Sequence, residues 1–286
     1  MATGDTPTVP ADVGTEPEAA GASASRSGGI TGATIAVRVF KGVPGGEGSY
    51  VTHDVPEVAG MVVLDAVHHI QRNLDTDLAC RWNCKSAKCG SCSAEVNGRP
   101  SLMCKVRVDR LPRGTITVAP LKAFPLIKDL VTDVSRNYEI NKLIPPFTAA
   151  PDDGTPWRIK QMDIDRLYEY RKCIECFLCQ DTCHVIRTHD QGDRFFGPRF
   201  FVRVASLEMH PKDVLDRREL TRDRGGLGLC NITKCCTDVC PEHIHITDNA
   251  IIPMKERVAD IHWDPLRWLG RRLRGDGAPR SVGGTP

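Results

Sequence analysis

The 286-residue sequence contains no long apolar run. Its longest stretch free of Lys, Arg, Asp and Glu, from Ser27 to Val37, is too short and too rich in Gly and Thr to cross ~30 Å of hydrocarbon. Any membrane contact is therefore expected to be peripheral. Charge of one sign is also missing: 38 Lys and Arg face 36 Asp and Glu, a net charge of +2, so no polyanion-binding surface is indicated and no nucleic-acid partner is expected. No basic residue precedes Arg26, whereas Asp5, Asp12, Glu16 and Glu18 do. That segment has neither the basic start of a secretory signal nor the Arg-rich pattern of a transit peptide, and the expected compartment is the reducing cytoplasm. Repeats of solenoid type are absent. What the sequence has in excess is cysteine, 13 in all. An odd number of thiols in a reducing compartment reads as metal ligands before it reads as disulfides.

Composition divides the chain. Residues 1–32 hold almost no large apolar group, cannot offset the entropy of ordering, and are expected to be a disordered extension. From Ala33 the pattern alternates: Ile35, Val37 and Val39 share one side of a strand, Gly-Gly-Glu-Gly at 45–48 makes a turn, and Ser49 to Val55 returns. Val62, Val63, Ala66, Val67 and Ile70 then fall at helical spacing, followed by a cysteine-rich loop from Cys80 to Cys92. Further strands are expected at Ser93–Val96, Leu102–Val108 and Thr115–Val118. Together these predict a small mixed sheet crossed by one helix. Beyond Asp129 the strand signal fades, Pro145-Pro146 and the Pro151–Pro156 stretch punctuate the chain, and helices are predicted at 163–172, 197–209 and 248–259. The fold class is α+β, in units spanning 33–140 and 141–262 with a basic tail at 263–286.

Eleven of the cysteines fall into spacings with chemical meaning. Cys84-x4-Cys89-x2-Cys92, with Cys104 twelve positions further on, is the plant-type pattern for a 2Fe-2S cluster. Three thiolates come from a loop wrapped round the cluster and the fourth from a neighbouring strand. Ser86, Ala87, Gly90 and Ser91 are small enough to let backbone N–H groups approach the sulfurs. A structural zinc site with four cysteines is the competing reading, but zinc sites usually pair two short knuckles, and here there is one.

The other groups are Cys173-x2-Cys176-x2-Cys179-x3-Cys183 and Cys230-x2-Thr233-x2-Cys236-x3-Cys240-Pro241. Two-cluster bacterial ferredoxins use this run twice, the fourth cysteine of each serving the other cluster. That exchange assigns Cys173, Cys176, Cys179 and Cys240 to a 4Fe-4S cluster, and Cys183, Cys230 and Cys236 to a second one. Thr233 stands where the second cluster's remaining thiolate belongs, and a hydroxyl is a poor ligand for soft iron, so a 3Fe-4S cluster is predicted. Alternatively Cys235 supplies the fourth bond and completes a 4Fe-4S cluster. Cys80 and Cys235 are left over.

These motifs, in this order from Ala33 to Asp260, resemble the iron–sulfur subunit of the succinate dehydrogenase and fumarate reductase family. The resemblance implies an N-terminal β-grasp ferredoxin domain beside an all-α domain like a bacterial two-cluster ferredoxin. It implies a flavoprotein subunit carrying FAD and a membrane-anchor subunit, with room for haem b there. Electrons from succinate would pass singly through the 2Fe-2S, 4Fe-4S and 3Fe-4S clusters to menaquinone or ubiquinone, at the cytoplasmic side of a prokaryotic plasma membrane. The same wiring run backwards serves quinol:fumarate reductase, and a soluble multi-cluster carrier is a further alternative. The chain departs from the family at the quinone end. His184-Val185-Ile186-Arg187 replaces a Pro- and Trp-containing segment, and Asn231 stands where a His often follows the first cysteine. His184, Asn231 and Thr233, adjacent to the 3Fe-4S ligands, are the quinone-proximal candidates, with helix-end packing the plainer role for His184.

Weaker features complete the reading. Trp263, Trp268, Leu269 and Leu273 interleave with Arg267, Arg271, Arg272 and Arg274, as a membrane- or anchor-facing segment or a solvated tail would. His68-His69 and His243-x-His245 read as ordinary surface or core histidines. Gly225-Gly226-Leu227-Gly228 lacks the strand-then-helix setting of a dinucleotide fingerprint and reads as a turn.

Overall fold

A computed structural model describes residues 30–151 and 157–263. The first half is a five-stranded sheet built from β1 (Ile30–Lys41), β2 (Ser49–Val58), β3 (Ser93–Val96), β4 (Arg99–Leu102) and β5 (Ile116–Ala119), in the order β2-β1-β5-β3-β4. β1 and β2 form the expected hairpin, with Val37 opposite His53 and Val39 opposite Val51. β1 also runs parallel to β5, Val37 pairing with Ile116, which makes the sheet mixed. The alternation works as read: Val37, Val39 and Val55 are fully buried. Onto this face packs α1 (Val63–Asn73) with Val63, Leu64, Ala66, Val67 and Ile70, and the Asp65 carboxylate accepts a hydrogen bond from the Val62 N–H at the helix start. Burying each large side chain contributes roughly 1.5–3 kcal/mol.

Two details differ from the sequence reading. β1 starts at Ile30, ahead of the alternation at Ala33, because Ile30 pairs with Val58 across a register shift. The strand expected at Leu102–Val108 is not formed. The chain turns instead, the Lys105 and Val106 N–H groups donating to the Leu102 carbonyl, and this puts Cys104 in a turn rather than on a strand. A short hairpin, β6 (Leu126–Lys128) and β7 (Val131–Thr132), closes the half.

The second half is helical: α2 (Ser135–Lys142), α3 (Gln161–Arg171), α4 (Leu178–Asp181), α5 (His184–Arg187), α6 (Pro198–Glu208), α7 (Cys235–Asp238) and α8 (Ile252–Trp263). α6 is its axis. Pro198 fits its first turn, and Phe200, Phe201, Val202, Val204 and Ala205 bury against Phe195, Leu227, Ile244, Ile251 and Met254. The predicted helix at 248–259 enters through a widened turn at Ile246–Ile251 before α8. Cys179, Cys183 and Cys236 belong to this core, while Ile174, Cys176, Leu178 and Val239 reach across to the sheet's core. No helix among the described residues is long and apolar enough to cross a membrane. The tail from 264 lies outside the described residues.

Candidate metal centres

The first cysteine loop is shaped by left-handed residues. Lys85, Ala87 and Gly90 have φ of 55°, 58° and 71°, which curls the chain so that its amides point inward. The Ser86 and Lys88 N–H groups donate to Cys84 Sγ at 3.4 and 3.3 Å, and the Ala87 N–H donates to Cys104 Sγ at 3.3 Å. The two amides on Cys84 bring its thiol down to about 6. Burial drives Cys92 the other way, up to about 12. Cys92 and Cys104 lie in the sheet's core, and Cys84 and Cys89 are half-buried. Cys80 packs on the same core, and burial raises its thiol to about 12.

The other two runs are built alike. In the first, Glu175 and Phe177 are left-handed (φ 55° and 60°), and Cys179 is the second residue of α4. In the second, Ile232 and Lys234 are left-handed (φ 60° and 63°), and Cys236 is the second residue of α7. This backbone register sets Cys173 against Cys230, Cys176 against Thr233, Cys179 against Cys236 and Cys183 against Cys240. Cys235 falls opposite Leu178. The Thr233 hydroxyl and the Cys235 thiol lie 3.3 Å apart.

Cys173, Cys176, Cys179 and Cys240 line one cavity, walled by Ile174, Phe177, Val202, Pro241, Ile244 and Ile246. The Ile244 N–H donates to Cys240 Sγ at 3.4 Å. The guanidinium of Arg199, buried at the cavity wall and paired with Glu175, offsets negative charge gathered there. Cys183 comes instead into the field of Cys230 and Cys235, and Cys236 into that of all three. Burial pushes Cys176 and Cys236 up to about 12, so these thiolates need a cation to hold them. Among the described residues no three His, Cys, Asp or Glu side chains converge on a single metal ion. Four thiols spread around an apolar cavity fit a polynuclear cluster better than one zinc.

The quinone-proximal candidates His184, Asn231 and Thr233 are all exposed, His184 as the first residue of α5. His68 is buried edge-to-face against Trp82, and His245 pairs through Nδ1 with Glu169 at 2.8 Å, each in an ordinary structural setting. Trp268, Leu269, Leu273, Arg267, Arg271, Arg272 and Arg274 lie outside the described residues, as does the side chain of Trp263. The glycine stretch forms a turn, with Gly226 at φ 67° pressed on the Arg194 carbonyl.

Sequence reasoning missed an acidic pair between the halves. Glu95 of β3 and Asp181 of α4 are both buried; Arg187 lies 2.8 Å from Glu95 Oε1 and 3.8 Å from Asp181 Oδ2, and Lys122 lies 3.3 Å from Glu95 Oε2. Burial, opposed by the Ala123 N–H and reinforced by Glu95, pushes the Asp181 carboxyl up to about 7. Its one sequence signal is an acid between two cysteines of a ligand-type run.

Residues 34–139 match the model of a 2Fe-2S iron–sulfur cluster binding domain, and residues 169–244 that of a 4Fe-4S dicluster domain. The fumarate reductase iron–sulfur subunit of Haemophilus influenzae is 31% identical over 209 residues, 68% of this chain and 80% of the relative. The succinate dehydrogenase iron–sulfur subunit of Bacillus subtilis is 28% identical over 207 residues, again 68% of this chain and 80% of the relative. A chain of the Mycobacterium smegmatis Sdh1 complex in the apo form is 54% identical and superposes with a TM-score of 0.75 over 82% of this chain and 98% of that one. The chain thus belongs to the family of succinate dehydrogenase and fumarate reductase iron–sulfur subunits.

Proposed function

We propose that this chain is the electron-transfer subunit of a succinate:quinone oxidoreductase. It takes electrons from a flavoprotein subunit carrying FAD and delivers them to quinone beside a membrane anchor, peripherally on the cytoplasmic side. In this reading Cys84, Cys89, Cys92 and Cys104 hold 2Fe-2S; Cys173, Cys176, Cys179 and Cys240 hold 4Fe-4S; and Cys183, Cys230 and Cys236 hold 3Fe-4S. The units at 33–140 and 141–262 are then a β-grasp ferredoxin domain and a two-cluster domain.

The observation that supports it is that neighbouring cysteine sets meet within one fold. The first cysteine loop touches the Cys173–Cys183 run at Cys176, Cys183 comes into the field of Cys230, and Asn231 to Lys234 of the last run are exposed. When bound, the clusters supply one-electron carriers that accept charge with little rearrangement. The chain's own residues hold the thiolates and donate amide hydrogens to Cys84, Cys104 and Cys240. They also keep water from the second centre with Ile174, Phe177 and Ile246. Likeness to an Sdh1 complex supports succinate oxidation. The Haemophilus relative favours the second reading, quinol:fumarate reductase.

Gentle purification from membranes tests the proposal. A flavoprotein should copurify, iron should reach about nine per chain, and succinate should reduce the clusters. Zinc in place of iron, or iron well below about nine, overturns it. Reduction by quinol with fumarate as the faster acceptor selects the reverse direction.

A further inference from the structure

Two residues outside the ligand sets join the first cysteine loop to the Cys173–Cys183 run. Gly90 follows Cys89 at φ +71° and lies flat on Cys176: a Cβ built there would stand 2.7 Å from Cys176 Cα and 3.0 Å from Cys176 Cβ. Only glycine permits both that conformation and that approach. Three residues on, the Ser93 hydroxyl lies 2.8 Å from the Gly90 carbonyl and 2.9 Å from the Cys176 carbonyl. A hydroxyl has one proton, so a single donor is shared between two carbonyls, one from each half of the molecule. Other ties between the halves reach the same run or its neighbour, Ala123 N–H on Asp181, Phe124 on Phe177 and Arg187 on Glu95, but not the Cys176 carbonyl, and further ties lie elsewhere. Lys105 Nζ donates to the Pro241 carbonyl at 2.9 Å, and Lys88 pairs with Glu242 at 3.1 Å.

We propose that Gly90 and Ser93 are positioning residues that set the gap for electron transfer between the 2Fe-2S and 4Fe-4S centres. The inference rests on the ligand assignment above, in which Cys89 and Cys176 each bind one of these clusters. The transfer moves one electron from the reduced first centre to the oxidised second, with no proton moved and no bond broken. Its rate falls steeply with separation, so the shortest contact between the ligand segments governs it. Gly90 is bonded to one ligand and touches the other. Ser93 keeps it there.

The test uses the intact complex with Ser93→Ala, Ser93→Thr and Lys105→Met, reduced with dithionite. It reads iron per chain, the magnetic interaction between the two reduced centres by electron paramagnetic resonance, and the freeze-quenched rate of electron passage between them. Ser93→Ala should keep its iron, weaken the interaction and slow passage by about tenfold or more, the scale of loss that ångström misplacement brings. Ser93→Thr, which retains the hydroxyl, should restore both, and Lys105→Met should leave both unchanged. The proposal is overturned if Ser93→Ala keeps the wild-type interaction and rate with both centres loaded, or if Lys105→Met matches its effect. A wild-type complex lacking either signal removes the ligand assignment, and the proposal with it.

Discussion

The two four-position runs share one backbone and have different surroundings. Both put left-handed residues before a short helix whose second residue is a cysteine. Yet Phe177 and Leu178 are buried, with Gly90 and Ser93 closing over Cys176, while Asn231, Ile232, Thr233 and Lys234 all face solvent. The N-terminal half caps the first loop, and the described residues leave the second uncapped. Ligand geometry is therefore set locally, whereas the environment of each centre is set by what docks on it.

The largest test of that contrast makes one substitution in both runs. Phe177 and Lys234 occupy equivalent left-handed positions, which cost a non-glycine residue about 1 kcal/mol or more. Phe177→Gly recovers that cost but loses a ring packed edge-to-face on Phe124 and Tyr138, a loss of about 3–5 kcal/mol. Lys234→Gly recovers the same strain and loses only the exposed 2.7 Å pair with Asp248, about 0.2–1 kcal/mol. Thermal denaturation should show a clear drop for the first and a change within about 1 kcal/mol for the second. Equal losses would mean that the second loop is as firmly covered as the first.

Next comes the ligand difference itself. Thr233→Cys should add one iron to the centre of Cys183, Cys230 and Cys236 and replace its oxidised 3Fe signal with that of a 4Fe-4S cluster, and Cys176→Thr should remove one iron from the centre of Cys173, Cys176, Cys179 and Cys240. Iron analysis and electron paramagnetic resonance read both changes. If the wild type already lacks the 3Fe signal and Cys235→Ala costs an iron, Cys235 is the fourth ligand, against the backbone register that sets it opposite Leu178.

How much of this was legible in the sequence depends on the range of the interaction. Cysteine spacing is local chemistry, and the chain brings Cys240 to the 173–179 group and Cys183 to the 230–236 group. Alternation at Val37 and Val39 and the helical spacing from Val63 to Ile70 were legible because each buries against a continuous face. The strand expected at Leu102–Val108 failed because Cys104 requires a turn that apolar alternation does not encode. Ser93, Glu95 and Asp181 were invisible as a group. Their roles arise only where two halves distant in sequence meet, and the one signal among them, Asp181 between Cys179 and Cys183, does not point to Glu95 or Ser93.

The smallest expected effect contrasts Asp181 with its counterpart Asp238. Each lies two residues beyond a helix cysteine, but Asp181 is buried against Glu95 whereas Asp238 is exposed. A carboxyl held at about 7 when folded binds a proton more tightly than in the unfolded chain, where it titrates near 3.8. Its stabilising contribution is fully present below about 3.8, shrinks as pH rises, and is lost once pH passes about 7, because the unfolded state no longer binds fewer protons. Asp181→Asn, which cannot ionise, should flatten the fall in stability between about pH 5 and 7, and Asp238→Asn should leave it in place. Denaturation midpoints across that range decide the matter. An unchanged slope in Asp181→Asn would show that the two acids sit in equivalent surroundings, and that the first run's cover does not extend past Cys179.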